Sequence, residues 1–191
     1  GNTEIWNGTI WTESADLSTA RRSLASSGSS SANALAYQGS SPTISGLTEE
    51  WNAGINLGAW YTGGNLNTAR NSLTGFGTQT ASLAIGGEIN PSGPPEEYTQ
   101  KTESYNGTAW AEVNDLTGSA RKAFASAGAD NTSGLVFGGT KLPPGPYIGI
   151  TESWNGYVWT EVNDLNGVRS SLGGSGTATA ALAFGGKSPP L

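Results

Sequence analysis

Two proline-containing segments carry most of the side chains in this sequence that could contact a ligand. They run from Glu88 to Lys101 and from Thr140 to Ile150, and they combine charged residues with tyrosines. Proline limits the freedom of a long loop in the unfolded chain, and an exposed tyrosine offers contact area at low entropic cost. We therefore predict a binding site for a glycan or a protein, although tolerated insertions would produce the same variable loops. The candidate residues are Glu96, Glu97, Tyr98, Lys101, Lys141 and Tyr147.

The composition argues against most catalytic chemistry. The sequence contains no Cys and no His, so it lacks thiolates, the commonest metal ligand and the commonest general base at neutral pH. Glu96 and Glu97 are adjacent, which gives no reason to expect the opposed carboxylates of a glycosidase. Asn114-Asp115 and Asn163-Asp164 lack the spacing of an EF-hand and are typical of turns. We predict no catalytic residues, no metal and no cofactor.

Charge and hydropathy exclude two further kinds of partner. The net charge of −6 argues against nucleic acid, because a phosphate-backbone ligand needs a basic face. The sequence has no run of about 18 apolar residues, so we predict no membrane insertion. It also has no Met, even at position 1, and we expect a processed product or a segment of a longer polypeptide.

Four arginines recur at intervals of about 50 residues, the spacing expected of a large structural repeat. They are Arg21, Arg70, Arg121 and Arg169. A ring of such arginines could hold an anion. The interpretation that we favour is structural: each arginine pairs with a carboxylate at the start of a strand, namely Glu4, Glu49, Glu103 or Glu152. Within one repeat this would join Arg121 to Glu103.

Aromatic residues recur with the same period. Thr151-Glu152-Ser153-Trp154-Asn155-Gly156 has close counterparts that begin at Thr3, Thr48 and Thr102. Such a series could form a platform for sugars. Because every repeat carries the pair, packing between successive repeats is the preferred interpretation. The aromatic repeat positions are Trp6, Trp11, Trp51, Trp60, Tyr105, Trp110, Trp154 and Trp159.

The last repeat predicts four short strands and no helix. Thr151 to Trp154 and Trp159 to Val162 are predicted to be the two strands of a hairpin. They are joined by Asn155-Gly156, which favours a type I′ turn with two positive φ angles. The segment after Arg169 leads into another strand. The apolar run from Ala180 to Phe184 predicts a strand covered on both faces. In the second repeat the hairpin loop from Asn52 to Ala59 is four residues longer than its counterparts.

These strings resemble kelch and galactose-oxidase-type propeller repeats, and the likeness covers essentially the whole chain. Asn65 to Arg70 and Gly77 to Ala81 more narrowly resemble kelch-like repeats of structural proteins from marine and cyanobacterial bacteriophages. The resemblance implies one domain, residues 1–191, with repeats at approximately 3–47, 48–101, 102–150 and 151–191. It implies a four-bladed propeller with four antiparallel strands per blade. The copper chemistry of galactose oxidase is not implied, because it needs His and Cys.

The resemblance also implies an order for the strands of each blade. The strand after the arginine would be innermost, the apolar strand second, and the two aromatic strands third and outermost. The chain would then begin on a third strand and end after a second strand. We therefore expect the N-terminal outer strands to pair with the C-terminal inner strands and close the ring. Pairing with neighbouring repeats of a longer chain or with another subunit is the alternative.

The resemblance favours a non-enzymatic display or adhesion module on a virion or another extracellular assembly. Such a module would bind a cell-surface glycan or protein through its variable rim loops. The alternative is a structural decoration or spacer protein that contacts neighbouring subunits of the assembly. Both place the protein outside the cell or on a virion surface, and neither requires a cofactor.

Overall fold

The computed structural model describes residues 1–53, 58–90, 95–142 and 145–189. These residues form strands and turns, and no helix occurs among them. The predicted all-β fold class is therefore confirmed. Every strand ladder among the described residues is antiparallel.

Three four-stranded sheets and two separate hairpins make up most of the fold. The N-terminal hairpin consists of β1 (Thr3–Trp6) and β2 (Trp11–Ser14). The first sheet consists of β3 (Ala25–Ser30), β4 (Asn33–Tyr37), β5 (Thr48–Asn52) and β6 (Ala59–Thr62). The second sheet consists of β7 (Thr74–Gly77), β8 (Ser82–Ile85) and, after the short pair β9 (Glu88–Asn90) and β10 (Glu97–Tyr98), β11 (Thr102–Tyr105) and β12 (Trp110–Val113).

The third sheet and the C-terminal hairpin complete the series. A short strand, β13 (Arg121–Lys122), pairs with β16 (Thr140–Lys141) outside the large sheets. The third sheet consists of β14 (Ala125–Asp130), β15 (Ser133–Phe137), β17 (Thr151–Trp154) and β18 (Trp159–Val162). The C-terminal hairpin consists of β19 (Gly173–Thr177) and β20 (Ala180–Phe184).

Each large sheet takes two strands from one sequence repeat and two from the next. The spatial orders are β3-β4-β5-β6, β7-β8-β11-β12 and β14-β15-β17-β18. The strand after the arginine is first, the apolar strand second, and the aromatic strands third and fourth, as expected from the resemblance. In the second strands of the first and second sheets, Leu35 and Leu83 have no exposed surface.

The first strands of successive sheets lie side by side, with β3 beside β7, β7 beside β14 and β14 beside β19. Backbone hydrogen bonds link the turns before them: Ser72 N–H donates to Ser23 O at 3.2 Å, and Ala123 N–H to Ser72 O at 2.9 Å. Ser171 N–H continues the series by donating to Ala123 O at 2.7 Å. First-strand residues of all four repeats line one cavity of 260 Å³.

Large side chains of one sheet fill space that glycines leave on the next. Phe76 on β7 packs so closely against Gly128 and Gly134 of the third sheet that a Cβ atom at either glycine would overlap its ring. Tyr37 of the first sheet packs in the same way against Gly75 of the second sheet, where its hydroxyl donates to Leu83 O at 3.1 Å. Because the fit is close, the sheets of neighbouring repeats have one specific relative position.

The aromatic pairs pack within their hairpins, and those of the three complete sheets also contact the preceding sheet or hairpin. The two rings of each hairpin pack at 4.9 to 5.5 Å between centroids. The indole N–H of each fourth strand donates to a threonine of the preceding sheet or hairpin. Trp159 donates to Thr102 at 3.1 Å and Trp110 to Thr48 at 3.0 Å, and Trp60 donates to a threonine of the N-terminal hairpin.

Three of the four arginines form buried ion pairs within their own sheets. Arg21 pairs with Glu49 at 2.7 Å. Arg70 pairs with Glu103 at 3.0 Å, and Arg121 pairs with Glu152 at 2.9 Å. The expected join between Arg121 and Glu103 is wrong, because the sheet combines halves of two repeats and the partner comes from the following one. Burial lowers the pKa of Arg121, although Glu152 opposes the shift.

The two terminal hairpins are not joined to each other. Among the described strands, β1 pairs only with β2 and β20 pairs only with β19, so the expected ladder between the chain ends is not formed. Leu182 and Phe184 on β20 are 70% and 55% exposed. The prediction that Ala180 to Phe184 is covered on both faces is therefore wrong in this structure. Trp6 and Trp11 are likewise exposed. Glu4 and Arg169 form no ion pair with each other or with another described residue.

The type I′ turn predicted at Asn155-Gly156 is also wrong, because Trp154 lies opposite Trp159 and Asn155 does not have a positive φ. The N-terminal hairpin has the same kind of turn. In the N-terminal hairpin Trp6 lies opposite Trp11, so four residues form the loop. Gly8 has a φ of 97°, but Asn7 does not have a positive φ. Its side-chain oxygen instead accepts hydrogen bonds from the backbone N–H groups of Thr9 and Ile10 at 2.9 and 3.0 Å. Asparagine therefore acts as a side-chain cap of the turn.

Candidate ligand-binding rim

The variable loops begin from a backbone arrangement that recurs in each of the four repeats. In each repeat, the residue that follows the arginine pairs through its backbone with a residue just beyond the second strand. The pairs are Arg22 with Ser40, Asn71 with Glu88, Lys122 with Thr140, and Ser170 with Lys187. The start of each connection is therefore held by strand-like hydrogen bonds, whatever the length of the loop beyond it.

The loop from Glu88 to Lys101 folds back on itself through β9 and β10 and closes around one lysine. Lys122 Nζ lies 3.0 Å from Glu88 Oε2 and 3.9 Å from Glu96 Oε2. It also lies 4.7 Å from the centre of the Tyr98 ring, an arrangement that is typical of a cation–π contact. The Tyr98 hydroxyl donates to Glu96 Oε2 at 2.9 Å. These four side chains, Glu88, Glu96, Tyr98 and Lys122, form the Lys122 cluster.

Tyr98 is not the exposed contact residue that the sequence predicted. Only 8% of its surface is exposed, because it packs beneath Lys122 and Glu96. Burial raises the pKa of its hydroxyl, so Tyr98 stays a neutral donor to Glu96. Burial alone would lower the pKa of Lys122, but the hydrogen bond to Glu88 and its other neighbours raise it overall. The Lys122 cluster therefore holds the loop against β13 at neutral pH.

Two carboxylates of this loop, one in the Lys122 cluster and one next to it in the sequence, remain accessible to solvent. Glu97 is exposed, and half of the Glu96 side chain is in contact with solvent. Lys101 lies at the far end of the loop, where its amino group pairs with Glu112 at 3.1 Å. Lys101 therefore does not share its ion-pair partner with the other candidate residues. Pro91 and Pro94 lie outside the described residues.

The second variable loop meets the first at one short strand. Lys141 on β16 lies opposite Arg121, and Thr140 lies opposite Lys122. Thr140 also forms a bridge with Tyr147, and Gly145 N–H donates to Lys141 O at 3.1 Å. Lys141 and Tyr147 are partly exposed. Pro143 and Pro144 lie outside the described residues.

The structure thus brings two loops from different repeats to the same strand, β13. The first loop contacts the Lys122 side chain, whereas the second pairs with the backbone of the same residue. Sequence reasoning missed Lys122 as the meeting point. A signal was present, since the position after the recurring arginine holds Arg22, Asn71, Lys122 and Ser170, which are not alike.

Two other features, a metal site and a membrane-crossing helix, are not found in the part of the chain that the structure describes. No three carboxylates there come close enough together to hold a metal ion. Nor does that part of the chain contain a helix with the length and apolar character needed to cross a bilayer.

No protein-family model matches the sequence, and no curated protein is significantly similar to it.

Proposed function

We propose that the four repeats together form the four blades of a kelch-like β-propeller, each blade combining strands of two repeats, with a fourth blade built from the C-terminal hairpin and an N-terminal hairpin. The support is the common strand order of the three complete sheets and the shared cavity along their first strands. The N-terminal hairpin has the strand pairing and turn of the outer half of a complete sheet. The C-terminal hairpin has the pairing of the inner half.

On this scaffold, the proposed function is that of a non-enzymatic display or adhesion module of a virion or another extracellular assembly. The observation that carries this proposal is the convergence of the two variable loops on β13. It places exposed Glu97 and partly exposed Glu96, Lys141 and Tyr147 on segments that the recurring backbone arrangement fixes. A rigid frame lowers the entropic cost of binding through loops. The proposed ligand is a cell-surface glycan or protein.

A glycan array and a panel of immobilised surface proteins test the rim. We expect selective binding that weakens at least tenfold in Glu97→Gln and in Tyr147→Ala. Tyr157→Ala is the matched control, because Tyr157 is 80% exposed but lies in a hairpin turn of the third sheet. Selective binding that all three variants retain would contradict the rim proposal.

The second candidate function is a structural decoration or spacer, which the exposed terminal hairpins favour. A free module that binds only through its rim has no need of uncovered apolar strands, whereas a building block uses them as contacts. Sedimentation of the purified chain separates the candidates. Self-association without any selective ligand would support the spacer, and a monomer that binds a ligand would support the display module.

A further inference from the structure

The two ends of the chain present complementary unfilled surfaces. The N-terminal lip consists of the N-terminal hairpin and the adjoining face of the first sheet. The C-terminal lip consists of the C-terminal hairpin and Arg169. We infer that the C-terminal lip of one copy binds the N-terminal lip of a second copy of this chain, so that the fourth sheet is completed between subunits. This inference rests on the proposed composition of the fourth blade.

The three complete sheets supply the register of the missing ladder. Each places the threonine that begins the third strand opposite the last apolar residue of the second strand: Thr48 opposite Tyr37, Thr102 opposite Ile85, and Thr151 opposite Phe137. The same register places Thr3 opposite Phe184 and Ile5 opposite Leu182. It pairs two apolar side chains, Ile5 and Leu182, which both have exposed surface in the single chain.

An ion pair would complete this ladder. In the three sheets the glutamate after that threonine is buried and pairs with the arginine of the second-strand repeat. Glu4 occupies this position on the N-terminal lip and is exposed, and Arg169 occupies the arginine position on the C-terminal lip. No ion pair of Arg169 occurs within the described ranges. The lips therefore carry opposite charges at matching positions.

An open groove on the N-terminal lip matches a side chain of the C-terminal lip. The groove has a volume of 510 Å³, and Ala34, Trp6, Trp11, Trp51 and Trp60 contribute to its walls. At the next sheet, Tyr37 covers the equivalent place and packs against Trp110 with 5.0 Å between ring centroids.

The equivalent of Tyr37 in the last repeat is Phe184, which is largely exposed. A Phe184 ring in the groove would cover Trp60 as Tyr37 covers Trp110. Burial of these aromatic surfaces would drive the association.

Contacts within the chain explain why the occupant comes from a second copy. Thr3 of the N-terminal hairpin accepts a hydrogen bond from the Trp60 indole of the first sheet at 3.0 Å. At the other end, Gly139 N–H donates to Arg169 O at 2.9 Å, beside the bond from Ser171 to Ala123. Both hairpins are thus already seated on their neighbouring sheets, and in these positions they do not meet.

The contact would be heterologous, because each copy offers one lip of each kind. Two copies could use both pairs of lips, or further copies could extend a head-to-tail series. The absence of cysteine from the sequence makes disulfide trapping a clean test. Directly opposed residues of an antiparallel ladder have the Cα separation that a disulfide requires.

The experiment mixes Ile5→Cys protein with Leu182→Cys protein under mild oxidation. We expect a covalent heterodimer on a non-reducing gel, and covalent multimers from the double variant. The matched control replaces Ile5→Cys by Ile10→Cys, which is exposed in the turn of the same hairpin but outside the ladder. The control mixture should form at most one-tenth as much covalent heterodimer as the Ile5→Cys mixture. Without cysteines, the chain should sediment with the mass of two chains or more, and Leu182→Asp should return it to one.

Each other outcome overturns the inference. A crosslink within single chains of the double variant, with none in the mixture, would place both halves of the fourth blade in one chain. This result would overturn the association between copies but would agree with the proposed propeller. No crosslink in either experiment would also overturn the proposed composition of the fourth blade. Equal crosslinking of the control would show non-specific collision. The ligand-binding test of the rim is independent of all these results.

Discussion

Removal of the Arg121 guanidinium should be among the most damaging single changes in this protein. Arg121 and Glu152 have no exposed side-chain surface, and Arg121 Nη1 also donates to Ile150 O at 2.9 Å. Arg121→Met would leave Glu152 buried with only the hydrogen bonds from Thr117 and Gly118. Breaking a buried pair in this way typically costs about 3–5 kcal/mol. At about 2–4 °C per kcal/mol, the midpoint of thermal unfolding should fall by about 10 °C.

A double-mutant cycle distinguishes the pair from two independent losses. We expect Arg121→Met and Glu152→Gln together to be less destabilising than the sum of the single changes, with a coupling of about 2 kcal/mol. Urea unfolding followed by tryptophan fluorescence measures each free energy. Coupling near zero would refute the assignment of the partner.

Two matched controls come from the same chain. Arg121 and Glu103 share neither an ion pair nor a hydrogen bond, so their double variant should be additive to within about 0.5 kcal/mol. Lys101→Met breaks the exposed pair with Glu112 and should cost less than about 1 kcal/mol. A Lys101→Met variant as unstable as Arg121→Met would show that burial is not the cause.

Three further changes test the packing between sheets and its dependence on pH. Thr102→Val should cost about 1–3 kcal/mol by urea unfolding, because the buried Trp159 indole loses its acceptor. Gly134→Ala should cost about 1–3 kcal/mol, because the new methyl group overlaps the Phe76 ring. Burial raises the pKa of Tyr37 to about 12, so the free energy of unfolding should fall between about pH 10 and pH 12.

The controls for these changes are conservative variants. Thr102→Ser keeps the acceptor and should recover most of the stability. Phe76→Leu should partly rescue Gly134→Ala, whereas failure to do so would contradict the close contact. The sign for Tyr37 follows from linkage: the native state holds its proton above pH 10, where the unfolded state has lost it. Tyr37→Phe should therefore flatten part of the alkaline slope, and an unchanged slope would contradict the prediction.

The periodic part of the fold could be predicted from the sequence, because each element is specified locally. The apolar run at Leu83 and the aromatic pair at Trp154 and Trp159 define strands whatever lies around them. The recurrence of Arg and Glu also predicted ion pairs, since buried guanidinium and carboxylate groups need partners. The partner of Arg121 was nevertheless predicted wrongly as Glu103, although the expected strand order already divides each repeat between two sheets and so places Arg121 in one sheet with Glu152.

The remaining differences depend on contacts between repeats. Tyr98 is buried because Lys122, from the next repeat, lies over its ring, and nothing in the loop itself indicates that partner. Leu182 and Phe184 belong to an apolar run like the buried ones, yet they are exposed because β19 is the only described strand that lies beside β20. Periodicity specifies the strand, whereas the neighbouring chain segment decides which of its faces are covered.

The offset between sequence repeat and sheet has a consequence for how such a chain can change in length. A whole repeat contributes the outer half of one sheet and the inner half of the next, so its insertion or loss leaves both chain ends with the same unpaired halves. Duplication or deletion could therefore vary the number of sheets while the termini keep their chemistry. A cut between β6 and β7, in contrast, would separate complete sheets and leave a fragment with a different kind of end.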